Sequence, residues 1–119
     1  MKKFINPSAH AVLDYVAAGS LIALGFGLRA QNRRAAIFAF ANGAAVLGLS
    51  MLTNYPGGVC RILSYKTHGT IDILQAGVLA IGPSLLGFGD TTEGQLFYGQ
   101  AALEGGVVAA TDWEAQGAA

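Results

Sequence analysis

Charge is scarce in this chain. Only 12% of its residues are Asp, Glu, Lys or Arg, whereas 53% are hydrophobic. Soluble domains carry roughly 25% charged residues, so this chain has too little charge to clothe an ordinary water-facing surface. The balance is also neutral, with 7 basic and 7 acidic residues. No basic run is interleaved with aromatics, which argues against nucleic acid as a partner. The single cysteine, Cys60, cannot form an internal disulfide and reads as an inert thiol. There is no GxSxG nucleophile motif, and no glycine-rich segment follows a strand pattern. These absences leave a small integral membrane protein of one domain, spanning residues 1–119.

Four apolar stretches are present: residues 9–28, 35–53, 68–89 and 95–111. Each is close to the roughly 17–25 residues that a membrane-crossing helix needs. Period-2 alternation is missing, so strands of a membrane barrel are not expected. Short polar breaks separate the stretches, "RAQNRR", "NYPGGVCRILSYKT" and "DTTEG". The outer two read as tight hairpins. The middle one is long enough to lie along a membrane surface, with Ile62, Leu63 and Tyr65 dipping into it. Asn6-Pro7 reads as an N-cap with proline at the first helical position, and Ser64 or Thr67 as the cap of the third helix. Met1-Lys2-Lys3 begins like a signal peptide, but His10 and Asp14 interrupt the stretch that follows, so the N-terminus is expected to be retained.

The two histidines of the chain stand in similar surroundings, "HAVLDYVAAG" at 10–19 and "HGTIDILQAG" at 68–77. Laying His10 on His68 aligns these segments, and the match continues into the following helix. Asp14 falls on Asp72, Phe40 on Tyr98, Asn42 on Gln100, and Thr53-Asn54-Tyr55 on Thr111-Asp112-Trp113. This predicts two parallel repeats of two helices each, residues 6–55 and 64–113, related by an axis along the membrane normal. Ala44 with Gly48, and Ala102 with Gly106, are small-xxx-small pairs expected to pack helices within the chain.

Residues four apart share a helix face, so His10 stacks on Asp14 and His68 on Asp72. The repeat brings all four near one membrane face. Gln75 extends the second stripe, where the first has Ala17, and Glu104 in the fourth stretch falls on Val46. Ionisable groups within the bilayer are costly and usually face the bundle interior. Four readings follow. The cluster is a polar lock fixing how the halves dock. It binds a transition metal through His10, His68, Asp14 and Asp72. Its histidines are axial ligands of a b-type haem. Or it handles protons or quinones, with Glu104 as a relay partner.

The segment "LAIGPSLLGFGD" at 79–90 resembles the SPW-repeat family of small bacterial membrane proteins, whose two-helix unit carries a Ser-Pro-Trp motif near the end of its first helix. Here Gly82-Pro83-Ser84 stands in that place, and the matching "ALGFGL" of the first half has no proline. The resemblance implies an all-α, four-helix transmembrane bundle in a bacterial inner membrane, with no established chemistry. Four basic residues on the side of the termini (Lys2, Lys3, Arg61, Lys66) against three on the other lean the termini towards the cytoplasm. The expected function is a non-catalytic accessory or interaction subunit, a homo-oligomer or part of a larger membrane complex. The alternative is a metal, haem, proton or quinone protein built on the paired His/Asp site.

Overall fold

The computed structural model describes residues 3–115; Met1 and Lys2, half of the terminal basic cluster and the start of the signal-like segment, lie outside the described residues. The chain is all-α. Its helices are α1 (Pro7–Leu28), α2 (Arg33–Leu52), α3 (Tyr65–Leu85) and α4 (Thr92–Ala110).

Each helix begins where a short polar side chain captures an otherwise orphaned backbone N–H. Asn6, Asn32, Ser64 and Thr91 accept from Ala9, Ala35, Thr67 and Gly94 at 2.9–3.1 Å. Pro7 sits in the first turn of α1, where its missing N–H costs nothing. At the far end of α3, Pro83 lies in the last turn and Gly87 adopts φ +84°, the left-handed conformation that lets the chain turn back.

α1 packs on α2 and α3 on α4 as two hairpins; α2 also meets α3, whereas α1 and α4 approach less closely. The shared core is Leu21, Phe38, Leu79, Phe88 and Phe97 with small alanines between them. The ends of the hairpins are interlaced. Ile5 donates to Ala110 O and accepts from Asp112 N; Leu63, the residue matching it in the second half, does the same with Leu52 O and Asn54 N. Each N-terminal arm is thus pinned to the C-terminal end of the other hairpin.

The surface is unusual in its polarity. Val12, Val16, Phe26, Ile37, Ile73, Leu74, Ile81 and Leu103 are exposed on the helix flanks, while His10, Asp14, Asn42, Ser50, His68 and Asp72 are buried. Two helices, α1 and α2, are long and apolar enough to cross a membrane. α3 and α4 have comparable lengths but are less apolar, because Lys66, His68, Thr70, Asp72 and Gln75 crowd one and Glu93, Gln95, Gln100 and Glu104 the other.

Two expectations need correction. Ala44, Ala102 and Gly106 are exposed, and a Cβ on Gly48 or Gly106 would meet nothing within 4 Å. The small-xxx-small pairs therefore do not pack the helices of this chain together. Close approach of α1 and α2 falls instead at Gly43, where a Cβ would lie 2.8 Å from Ile22 Cγ1 and 3.2 Å from Ala18 O. Tyr65 does not dip outward with Ile62; it is buried against Tyr55 and Ala11, with Trp113 beside it.

Gly43→Val should destabilise the purified protein by about 1–3 kcal/mol through overpacking. Gly48→Val should stay within about 0.5 kcal/mol, as expected where nothing is contacted. Chemical unfolding in mild detergent, followed by circular dichroism, measures both.

Candidate metal centre

The N-terminal turns of α1 and α3 meet the C-terminal ends of α2 and α4 at one end of the bundle. There His10 and His68 are fully buried, their rings 5.2 Å apart and nearly perpendicular. Tyr55, Tyr65 and Trp113 surround them; Tyr55 lies 5.2 Å from the His68 ring and Trp113 4.9 Å from His10.

Two threonines, at the last turns of α2 and α4, decide what the histidines can do. Thr53 Oγ1 lies 2.6 Å from Leu49 O, and Thr111 Oγ1 lies 2.6 Å from Val107 O. Each hydroxyl has one proton, and a carbonyl can only accept, so that proton is committed. Thr53 Oγ1 is also 2.7 Å from His68 Nδ1, and Thr111 Oγ1 is 2.9 Å from His10 Nδ1. In those contacts the threonine oxygen must accept. Both Nδ1 atoms therefore carry hydrogen and donate it, an assignment that follows from the bonding pattern.

Both Nε2 atoms then face the carboxylates. His10 Nε2 is 3.1 Å from Asp72 Oδ2 and 3.3 Å from Asp14 Oδ1; His68 Nε2 is 3.0 Å from Asp14 Oδ2 and 3.1 Å from Asp72 Oδ2. Every histidine thus touches the aspartate of its own helix and that of the other hairpin. His68 Nε2, despite these distances, has no carboxylate oxygen along its hydrogen-bonding direction. Tyr55 donates to Asp14 Oδ2 at 2.8 Å. Burial, and then the nearby Asp14 charge, hold its hydroxyl above the ordinary phenol range, so it stays a neutral donor.

With neutral rings, the four side chains offer two nitrogen lone pairs and two negative charges, all ligand atoms within 4.8 Å of one another. A four-coordinate ion with bonds of about 2.0–2.1 Å has ligand-to-ligand edges of about 3.3 Å. The His–Asp contacts, 3.0–3.3 Å, are of that size; they run to Oδ2 of Asp72 and to both oxygens of Asp14. If these histidines held an ion, the threonines would be the outer partners that fix their tautomer. With both rings protonated, the same four groups form two ion pairs of zero net charge.

A b-type haem does not fit here. Axial ligation would place the porphyrin between the two Nε2 atoms, where Asp14 and Asp72 already stand.

The other two sequence candidates lie apart from the four. Gln75 donates to Asn42 Oδ1 at 3.1 Å, on the α2–α3 side. Glu104 accepts from Gln100 at 3.2 Å and lines a cavity that reaches Asp14 and Asp72. Sequence reasoning assigned no role to Thr53, Thr111 or Tyr55. The signal for the threonines was their register: the overlay that places His10 on His68 also places Thr53 on Thr111.

No protein-family model, curated protein or solved structure matches this chain.

Thr53→Val keeps the shape but removes the acceptor of His68 Nδ1–H. Leaving that donor buried and unpaired should cost about 1–3 kcal/mol of stability, whereas Thr53→Ser should restore most of it. Nitrogen-15 NMR of the wild-type side chains should find a proton on Nδ1 of both histidines.

Proposed function

We propose that this protein is a membrane-embedded metalloprotein that holds one divalent first-row transition-metal ion per chain, with His10 and His68 as nitrogen ligands and Asp14 and Asp72 as oxygen ligands. The observation that carries this reading is the commitment of both threonine hydroxyls. It fixes both Nδ1 atoms as donors and leaves both Nε2 atoms within 3.3 Å of the two carboxylates. Mixed imidazole and carboxylate ligands suit zinc, iron(II) or manganese(II).

Several features support placement in the bilayer. Charged residues gather at the two ends of the bundle: Arg29, Arg33, Arg34, Asp90 and Glu93 at one, and Lys3, Arg61, Lys66, Asp112 and Glu114 at the other. Between them the exposed flanks are largely apolar on all four helices. Asp14, Asp72 and Glu104 are the acidic residues within that span, and all three turn inward to the cluster and its cavity. Four membrane-crossing helices in two parallel two-helix units is the arrangement we favour. Contacts that recur at matching places in the two halves (the crossed arms, the threonine–histidine pairs, the caps at Asn6 and Ser64) support an internal duplication. Pro83 in the last turn of α3 is in keeping with an SPW-repeat-like layout.

The polar-lock reading is favoured by the hydrogen bonds of His10 Nε2 to Asp72 Oδ2 and of Tyr55 to Asp14 Oδ2, and by the two ion pairs the four groups form when both rings are protonated. Metal analysis separates the two. Protein purified in detergent and supplied with zinc, iron(II) or manganese(II) should retain about one ion per chain after gel filtration. His10→Ala and Asp72→Asn should abolish retention, and Thr53→Val should weaken it about 10–100-fold. Wild-type protein that retains no ion under any of the three conditions refutes the metal reading and leaves the lock.

A further inference from the structure

The cluster is nearly symmetric, but what stands beside it is not. On one side, Gln75 of α3 reaches Asn42 of α2 and closes the cleft between those helices with a 3.1 Å hydrogen bond. On the other side, the matching places are Ala17 of α1 and Gln100 of α4. Ala17 cannot bridge the gap, and a cavity of about 220 Å³ lies between α1 and α4. Its mouth is apolar and faces outward, with Leu13, Val16 and Leu103 all exposed. Its inner wall carries Asp14 and Asp72, and its side wall carries Gln100 and Glu104. Glu104 replaces the valine that holds the matching place, Val46, in the other half.

The polar atoms along this cavity are mostly acceptors. Gln100 spends one amide N–H on Glu104; its second N–H, its carbonyl oxygen and the second Glu104 oxygen remain, and Ser20 adds a hydroxyl. Asp14 and Asp72 add only acceptor oxygens. A ligand suited to this wall has a donor at its head and an apolar body. An apolar cavity of roughly 150 Å³ accommodates a benzene ring, so this one has room for a single substituted ring and a tail leaving through the mouth.

We propose that the α1–α4 cavity is a binding site for a lipid-phase phenol or hydroquinone, whose hydroxyl is received by Glu104 and Gln100 beside the His/Asp cluster. The occupant enters laterally, since the mouth opens between exposed apolar flanks rather than at a bundle end. The proposal rests on the membrane placement above but not on metal occupancy, and the variant that tests it leaves the four cluster residues untouched. Ala17→Gln gives α1 the plug that α3 already has in Gln75, with Gln100 in the part of Asn42.

The experiment uses the full chain in lipid nanodiscs and radiolabelled 4-hexylphenol, with hexylbenzene and hexyltrimethylammonium as competitors and metal content measured in parallel. Wild-type protein should bind about one phenol per chain saturably. Ala17→Gln should lose saturable binding while keeping the wild-type metal content. Glu104→Leu should weaken binding about ten-fold, the loss expected for one hydrogen bond. Hexylbenzene should compete poorly. Uptake that is non-saturable, or equal in wild type and Ala17→Gln, overturns the proposal. Stronger competition by hexyltrimethylammonium than by unlabelled phenol also overturns it, in favour of a lipophilic-cation site. Release of the wild-type protein from membranes by alkaline carbonate refutes the membrane placement itself, and absent metal with intact phenol binding refutes only the metal centre.

Discussion

Each imidazole in this protein is held by a hydroxyl that has nothing left to donate. The threonine proton is spent on the helix carbonyl four residues back, so the oxygen can only receive. That commitment fixes the tautomer, the tautomer fixes the ring direction, and the direction brings both Nε2 atoms against the aspartates. The surrounding structure serves the same end. The crossed terminal arms hold Thr53 and Thr111 at the right height, and Tyr55, Tyr65 and Trp113 keep water from the rings. Without the threonines the same His and Asp residues would have several competing ways to pair.

The cluster also accounts for where the chain tolerates polarity. Ionisable side chains in an apolar setting are tolerable when they satisfy one another. Here the four are nearly sealed, and the outward-facing flanks are left to Val, Leu, Ile and Phe. The hairpins join through this polar end and through the Phe38, Phe88 and Phe97 stack deeper in the bundle.

Much of the architecture could be read from the amino-acid order. The four helices appear near the expected stretches because Asn6, Asn32, Ser64 and Thr91 cap them and the apolar runs have helical length. The spacing of His10 with Asp14 and His68 with Asp72 announced a shared face, and the structure puts all four side chains together. Other features were hidden because they depend on which face of a helix meets a neighbour. Ala44 and Gly48 have the spacing of a packing seam yet point outward, whereas Gly43, next to Ala44, takes the contact with Ile22. Tyr65 looked like an interfacial residue because the connection before it is long enough to lie along a membrane surface; the turn into α3 carries it inside. The roles of Thr53 and Thr111 arise only when the end of one hairpin crosses to the histidine of the other, a pairing that no local pattern encodes.

The contrast between Gln75 and Ala17 has a wider consequence. Two identical units arranged about an axis must treat their two clefts alike, giving either two openings or two seals. A single chain is free of that constraint, because its two hairpins need not be alike at every position. In this protein the ends that orient the histidines match, while one flank is sealed and the other left ajar. Two hairpins in one covalent chain thereby give a nearly symmetric socket a front and a back.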